Sequence, residues 1–211
     1  QTVNQSTIYN PIGCIIFSYY PSMKHDGKTI SPLPKVDIGY KLCNIKLDLE
    51  KEGLSTCIST DFDSSKAKEF INDQRIHTME FNIPAVLYFG IEEDNPNIFK
   101  RFISWFYSDT YRLPLSTIIV SGEISSQFKD LFEGFRQSIS QGNSQTWRIA
   151  ANGKLIHFYT TSSLEERYFN IGCALASFWR VAQQKKIKGE FFISSEYPTT
   201  VYEYIVSWEY R

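Results

Sequence analysis

Two stretches of the chain carry apolar residues at helical spacing and open on the same pattern. Ile38, Leu42, Ile45 and Leu49 recur at intervals of three and four, which predicts a helix over 36–52 with Gly53 as a carboxy-terminal cap. Ile171, Ala174, Leu175, Phe178, Val181 and Ala182 predict a second helix from Phe169 to about Lys185. The first begins VDIGYKLC at Val36 and the second FNIGCALA at Phe169, so Asp or Asn, then Ile-Gly, then Leu three positions on, occurs twice. Each copy is followed by a β-rich segment that closes on an aromatic-flanked strand, Pro84 to Gly90 and Tyr202 to Trp208. A repeat this long, present only twice, predicts two similar halves related by a pseudo-two-fold axis, here 1–110 and 111–211. Function is then expected where the halves meet.

The remaining pattern interleaves strands and helices. Ser64 is placed to cap a short helix over 66–72, and Asn82-Ile83-Pro84 leads into an apolar strand from Ala85 to Phe89. Phe99, Phe102, Ile103 and Phe106 line one face of a helix starting at Asn97. Leu115 to Val120, rich in β-branched residues, reads as a strand punctuated by Ser121-Gly122. Phe128, Leu131, Phe132, Phe135 and Ile139 give a helix from about Ser125 to Ile139 an apolar stripe, which reads as core. Trp147 to Ala150 and Lys154 to Tyr159 flank Ala151-Asn152-Gly153, a strong hairpin signal. Strands over 190–194 and 201–209 close the chain. The class expected is α+β (mixed α/β), with central sheets covered by helices.

Composition narrows the functions. With 42% hydrophobic and 16% aromatic residues in 211, the chain can bury a substantial core. Its 22 Lys plus Arg balance 23 Asp plus Glu, so the electrostatic footprint of a nucleic-acid or anionic-membrane binder is missing. No segment has the run of about 20 apolar residues that a membrane span needs, and the polar start QTVNQSTIYN shows no leader, so a cytoplasmic protein is expected. Cys14, Cys43, Cys57 and Cys173 lack the close spacing of a metal site or redox dithiol, and Cys43 and Cys173 read as small core residues. His25, His77 and His157 are far apart, with no partner legible for acid-base work.

Three polar stretches could carry chemistry. Ser140-Gln141-Gly142-Asn143-Ser144-Gln145-Thr146-Trp147 gathers amides and backbone groups of the kind that satisfy a neutral heterocycle with polar edges, or it is an ordinary polar loop. Gly53-Leu54-Ser55-Thr56-Cys57 could bring backbone N–H groups close to a ligand, or simply cap the helix. Lys100-Arg101 suits a phosphate, although adjacent basic residues on a helix usually face solvent.

Together these stretches resemble the flavin-dependent nitroreductase family, in particular its small single-chain branch whose two half-domains imitate the family's usual homodimer. Ser140, Asn143, Gln145, Trp147 and Arg148 match its Ser-x-x-Asn-x-Gln-Pro-Trp segment and the strand that follows, with Thr146 in place of the proline. Gly53, Leu54, Thr56 and Cys57 match its Gly-Leu-x-Thr-Cys element, and Asp37 to Leu42 and Asn170 to Leu175 its repeated helix start. Pro84 to Gly90 and Tyr204 to Trp208 are similar to its strands, and Lys100-Arg101 to its basic segment. The resemblance implies a nitroreductase-like fold that binds FMN and passes hydride from NADH or NADPH to a nitroaromatic, a quinone or a similar small-molecule acceptor. It implies Ser140, Asn143 and Gln145 at the ring edge, backbone groups of Gly53, Leu54, Ser55 and Thr56 near the reducible nitrogen, and Lys100 and Arg101 at the phosphate. No side chain need act as a catalytic acid, no metal, nucleic acid or membrane is implied, and an internal pseudo-dimer would be a monomer or a weak homodimer. The family's Arg-x-Ser-x-Arg segment has no counterpart before Tyr9, which leaves phosphate binding to Lys100, Arg101 and a helix amino terminus, or leaves a flavin-binding or storage protein without turnover.

Overall fold

The computed structural model describes residues 11–19, 32–60, 62–65, 67, 81–91, 111–161 and 166–211. The expected helix from Asn97, with Lys100 and Arg101, lies outside them, as does most of that expected over 66–72. The chain divides into two compact units, one of Gln1–Pro34 with Ile45–Ser108 and one of Lys35–Asn44 with Asp109–Arg211.

In the first unit, strands β1 (Gly13–Ile16), β2 (Ser55–Ser59) and β3 (Val86–Gly90) form an antiparallel sheet in the order β1-β3-β2. The central strand buries Val86 and Leu87, as its apolar run predicts. Helix α1 (Leu33–Lys51) starts with proline in its first turn, where a missing N–H costs nothing. It ends at Gly53, whose φ of +83° is a left-handed conformation. There the N–H groups of Gly53 and Leu54 donate to the carbonyls of Glu50 and Leu49, both at 3.0 Å, which closes a Schellman cap.

The second unit is a five-stranded sheet in the order β4-β5-β6-β8-β7, formed by β4 (Ile119–Ser121), β5 (Trp147–Asn152), β6 (Leu155–Thr160), β7 (Gly189–Phe192) and β8 (Glu203–Tyr210). Only β4 on β5 is parallel. The hairpin pairs Asn152 with Leu155, so the turn is Gly153-Lys154, one residue later than the Asn-Gly pair suggests. Glycine at the first loop position, with φ of +60°, is what a type II′ turn requires. The expected strand over 115–120 splits: Pro114 stands at the start of one helical turn, α2 (Leu115–Ile118), and only Ile119 onward is extended. The expected helix over 125–139 is a tight turn at Ser126–Phe128 followed by α3 (Lys129–Arg136), so Ile139 lies beyond its end.

Helix α3 and α4 (Arg167–Gln184) cover one sheet face. Phe178 is the hub of that core, with ring centroids 5.3 Å from both Phe158 and Trp208 and 5.9 Å from Phe132, in edge-to-face geometry.

The Lys35–Asn44 part of α1 packs on α4 through the repeated motif. A Cβ on Gly39 would lie 2.2 Å from the carbonyl oxygen of Phe169, and one on Gly172 would lie 2.1 Å from that of Val36. Each glycine therefore meets the backbone three residues before the other, a reciprocal approach that neither helix permits with a side chain. Arg180 fixes the crossing further, donating from Nε to Asn44 Oδ1 at 2.6 Å and from Nη2 to Asn44 O at 3.0 Å. The likeness continues to the helix ends. Lys186 holds φ of +56°, and the N–H groups of Lys186 and Ile187 donate to the carbonyls of Gln183 and Ala182, the same cap that Gly53 closes on α1.

Two substitutions follow with opposite signs. Gly172→Ala forces a methyl group into a backbone carbonyl and should cost about 3 kcal/mol. Lys186→Gly removes the left-handed penalty of a residue with a Cβ and should add about 1 kcal/mol. Urea midpoints of the two variants check both signs.

Candidate functional site

The Ser140–Trp147 stretch folds as a turn with three left-handed residues: Gly142, Asn143 and Gln145 have φ of +55°, +51° and +44°. Asparagine tolerates this conformation better than glutamine does, so Gln145 carries strain that its surroundings must offset. They do so with its own side chain. Gln145 is 2% exposed; its Oε1 accepts the Leu113 N–H at 2.7 Å and its Nε2 donates to Asn143 Oδ1 at 2.9 Å. Asn143 Nδ2 donates to Tyr111 O at 2.8 Å, while Arg112 Nη1 donates to Asn143 Oδ1 at 2.9 Å. Ser140 Oγ accepts the Gln145 N–H at 3.0 Å. The structure thus brings Ser140, Asn143 and Gln145 together, and turns both amides onto the segment 111–113.

That segment is gripped from α3 as well. Arg136 Nη1 donates to Leu113 O at 3.3 Å, and Arg136 is itself held by a two-point pair with Glu133 at 2.8 and 2.6 Å. The Arg136 guanidinium, opposed by partial burial and helped by Gln137, holds the Glu133 carboxyl down at about 2.

Asn170, the counterpart of Asp37 in the repeat, anchors the turn from below. It is 1% exposed; its Oδ1 accepts the Gln141 N–H and its Nδ2 donates to Ser144 Oγ, both at 3.1 Å. Asp37 is exposed and pairs with Lys41 one helical turn on. One copy therefore needs an amide, which both donates and accepts, while the other uses a carboxylate in water. That difference was visible in the repeat and is the signal that could have placed Asn170 in the site. Tyr111–Leu113 carried no such signal, because apart from the Arg112 guanidinium its part is played by the main chain.

Trp147 is buried in the core against Phe135, with centroids 5.8 Å apart. Arg148 Nη1 donates to the carbonyls of Gln145 and Trp147 at 3.1 and 2.6 Å, and its guanidinium lies 5.6 Å from the Tyr202 ring centroid. In the first unit, the N–H groups of Gly53 and Leu54 are taken by the helix cap, and Thr56 Oγ1 donates to Glu50 Oε1 at 2.6 Å. Ser55 and Thr56 lie on β2, an edge strand among the described residues, so alternate N–H groups there point away from β3. None of the four cysteines is disulfide-bonded, and among the described residues no group of three His, Cys, Asp or Glu could hold a metal. No helix among the described residues is long and apolar enough to cross a membrane.

Asn170→Asp removes the donor to Ser144 and buries a charge, which should cost about 2–3 kcal/mol at neutral pH. The folded pKa of that carboxyl would lie above the unfolded value of about 3.9, so the deficit shrinks as pH falls through the raised value; equal stability of variant and parent at pH 7 would contradict the anchoring role. Glu133 has the opposite sign. Its folded value of about 2 lies below the ordinary 4.5, so its contribution is present above 4.5 and lost as pH falls toward 2. With the Glu133 side chain 45% exposed, the effect should be about 1 kcal/mol or less. Comparison of parent and Glu133→Gln urea midpoints across that window measures it.

No protein-family model matches the chain, and no curated protein matches it. Among solved structures, a crystal structure from Thermotoga maritima of a protein named a putative nitroreductase is similar in fold, with a TM-score of 0.56 and 14% sequence identity. The likeness covers 99% of this chain and 79% of that one, so this mixed helix-and-sheet chain has a nitroreductase-like fold.

Proposed function

We propose that the chain is an FMN-dependent oxidoreductase of nitroreductase type, which takes hydride from NADH or NADPH and delivers it to a nitroaromatic, a quinone or a similar flat acceptor. The observation that supports the reading most is a fold likeness spanning 99% of the chain, with the residues of the Ser-x-x-Asn-x-Gln-x-Trp segment converging on one strained turn. Strained backbone held by a dense set of hydrogen bonds is common at binding sites.

The polar groups present fit a flavin in part. Gln145 is too buried to touch a ligand, so in this proposal it and Ser140 shape the ring-edge site by fixing the turn. Asn143 is half-buried and keeps one Nδ2 hydrogen beyond its bond to Tyr111, enough to donate to a ring carbonyl. On β2, Ser55 or Thr56 would offer a backbone N–H, while Gly53 and Leu54 act through the cap that sets the strand's start. Lys100 and Arg101 would meet the phosphate. When bound, the flavin supplies the hydride chemistry, and the protein supplies position and hydrogen bonds.

The inward-turned amides also favour a second reading, a flavin-binding or storage protein without turnover. Titration of the full chain with FMN, followed by nicotinamide oxidation with a quinone on the same sample, separates the two. The first reading predicts stoichiometric flavin, bleaching by NADH or NADPH, and about tenfold weaker binding in Asn143→Ala, equivalent to about 1.4 kcal/mol. Tight binding without oxidation selects the second, and protein that ignores FMN overturns both.

A further inference from the structure

The sheet face turned away from α3 and α4 holds a buried polar chain that the proposed function does not use. His157 on β6 pairs across the sheet with Ser207 on β8 and is 2% exposed, while Ser207 is fully buried. His157 Nδ1 lies 2.8 Å from Ser207 Oγ, and Ser207 Oγ lies 2.8 Å from Tyr204 OH. Tyr204 OH accepts the backbone N–H of Ser194 at 2.9 Å. Ser194 is the second residue of the strap 193–202 between β7 and β8, and two further contacts hold that strap to the same face. Tyr159 OH donates to Pro198 O at 2.8 Å, and the Tyr197 ring stacks flat on Tyr204 with centroids 3.9 Å apart.

One link of the chain has a fixed direction. Because the Ser194 N–H can only donate, Tyr204 OH accepts one hydrogen bond and has its own proton to give; a chain that runs Ser194 to Tyr204 to Ser207 to His157 lets each of the two hydroxyls accept once and donate once. Nδ1 is then the acceptor at the end, and the imidazole is neutral with its proton on Nε2. We propose that His157 is a proton-controlled latch: a proton on Nδ1 removes the terminal acceptor, the chain can no longer run in that direction, and the strap 193–202 is released from the sheet.

Among the described residues, the groups around the imidazole do not supply a counter-charge that would spare the chain. From β8 it faces Ser207 and the Tyr204 ring, 6.4 Å away, with the exposed Glu209 two residues along. From β5 it faces Ala150, with Arg148 two residues along engaged by the carbonyls of Gln145 and Trp147. Along β6 stands Tyr159, from β7 comes Phe192 opposite Ser207, and from the strap comes Tyr197 through its stack. Burial pushes the His157 pKa below its ordinary 6.5. The closed strap therefore binds fewer protons than the open one, is fully held above that ordinary value, and loosens as pH falls below it.

The test is hydrogen exchange of the full chain between pH 8 and pH 4.5, with each rate corrected for intrinsic exchange and the His157 ring nitrogens followed by NMR. The latch predicts an Nε2–H tautomer at pH 8. It also predicts that protection of the Ser194 amide and the strap falls about tenfold per pH unit below the ordinary histidine value, while β5 and β6 amides stay protected. His157→Asn, which offers a neutral acceptor near the place of Nδ1, should abolish the pH dependence, and Ser207→Ala should leave the strap open at every pH. Strap protection that ignores pH while His157 titrates, loss of strap and sheet protection in one step, or a His157→Asn protein with the parental pH dependence would each overturn the proposal. If neither variant folds, the parental tautomer and the coincidence of the two titrations decide it.

Discussion

The close approach of two helix backbones at Gly39 and Gly172 is the constraint on which the second unit depends. Each glycine lies under the carbonyl of the residue three before its counterpart, so the contact is the same read from either helix. Helices that carry side chains at a crossing stand about 8–10 Å apart. Removing both Cβ atoms at one point lets main chain meet main chain and locks the rotation of each helix about its axis. The rotation of α4 then decides which residues enter the core, and Ile171, Ala174, Leu175, Phe178 and Ala182 are among those that do. It also delivers Asn170, two residues before the glycine, to the underside of the 140–145 turn.

The turn transmits that order to the main chain beside it. Left-handed Asn143 and Gln145 would be costly in an isolated loop. Here their amides close on Tyr111 and Leu113, Ser140 closes on Gln145, and Arg136 takes the carbonyl on the far side of Leu113. A polar loop is thereby tied to the chain beside it by hydrogen bonds, with Trp147 inserted into the core at its end. Amides that look ligand-facing in sequence are thus largely committed to the protein instead.

Much of this was legible in the residues, because it rests on periodicity. Both repeated helices, the apolar strand before Gly90, the hairpin and the closing strand follow from apolar spacing and turn residues. The reciprocal glycines were legible as a repeat, and the cap at Gly53 as one of two readings. What escaped was set by partners distant in sequence or by main chain. The strand expected over 115–120 yields to Pro114, which starts a helical turn despite the β-branched residues after it. The hairpin register moves by one because glycine is needed at the first loop position. His157 had no visible partner because Ser207 and Tyr204 come from another strand, and the orientation of Gln145 depends on the N–H of Leu113, which no side-chain pattern encodes.

If the helix crossing governs the second unit as argued, the two glycines must act as one contact. The direct measurement is a double-mutant cycle on unfolding free energy with Gly39→Ala, Gly172→Ala and the pair. One methyl group already forces the helices apart, so the second substitution should cost less than the first, with a coupling of more than about 1 kcal/mol. Costs that add to within about 0.5 kcal/mol would mean that the glycines relax independently, and would contradict the shared crossing.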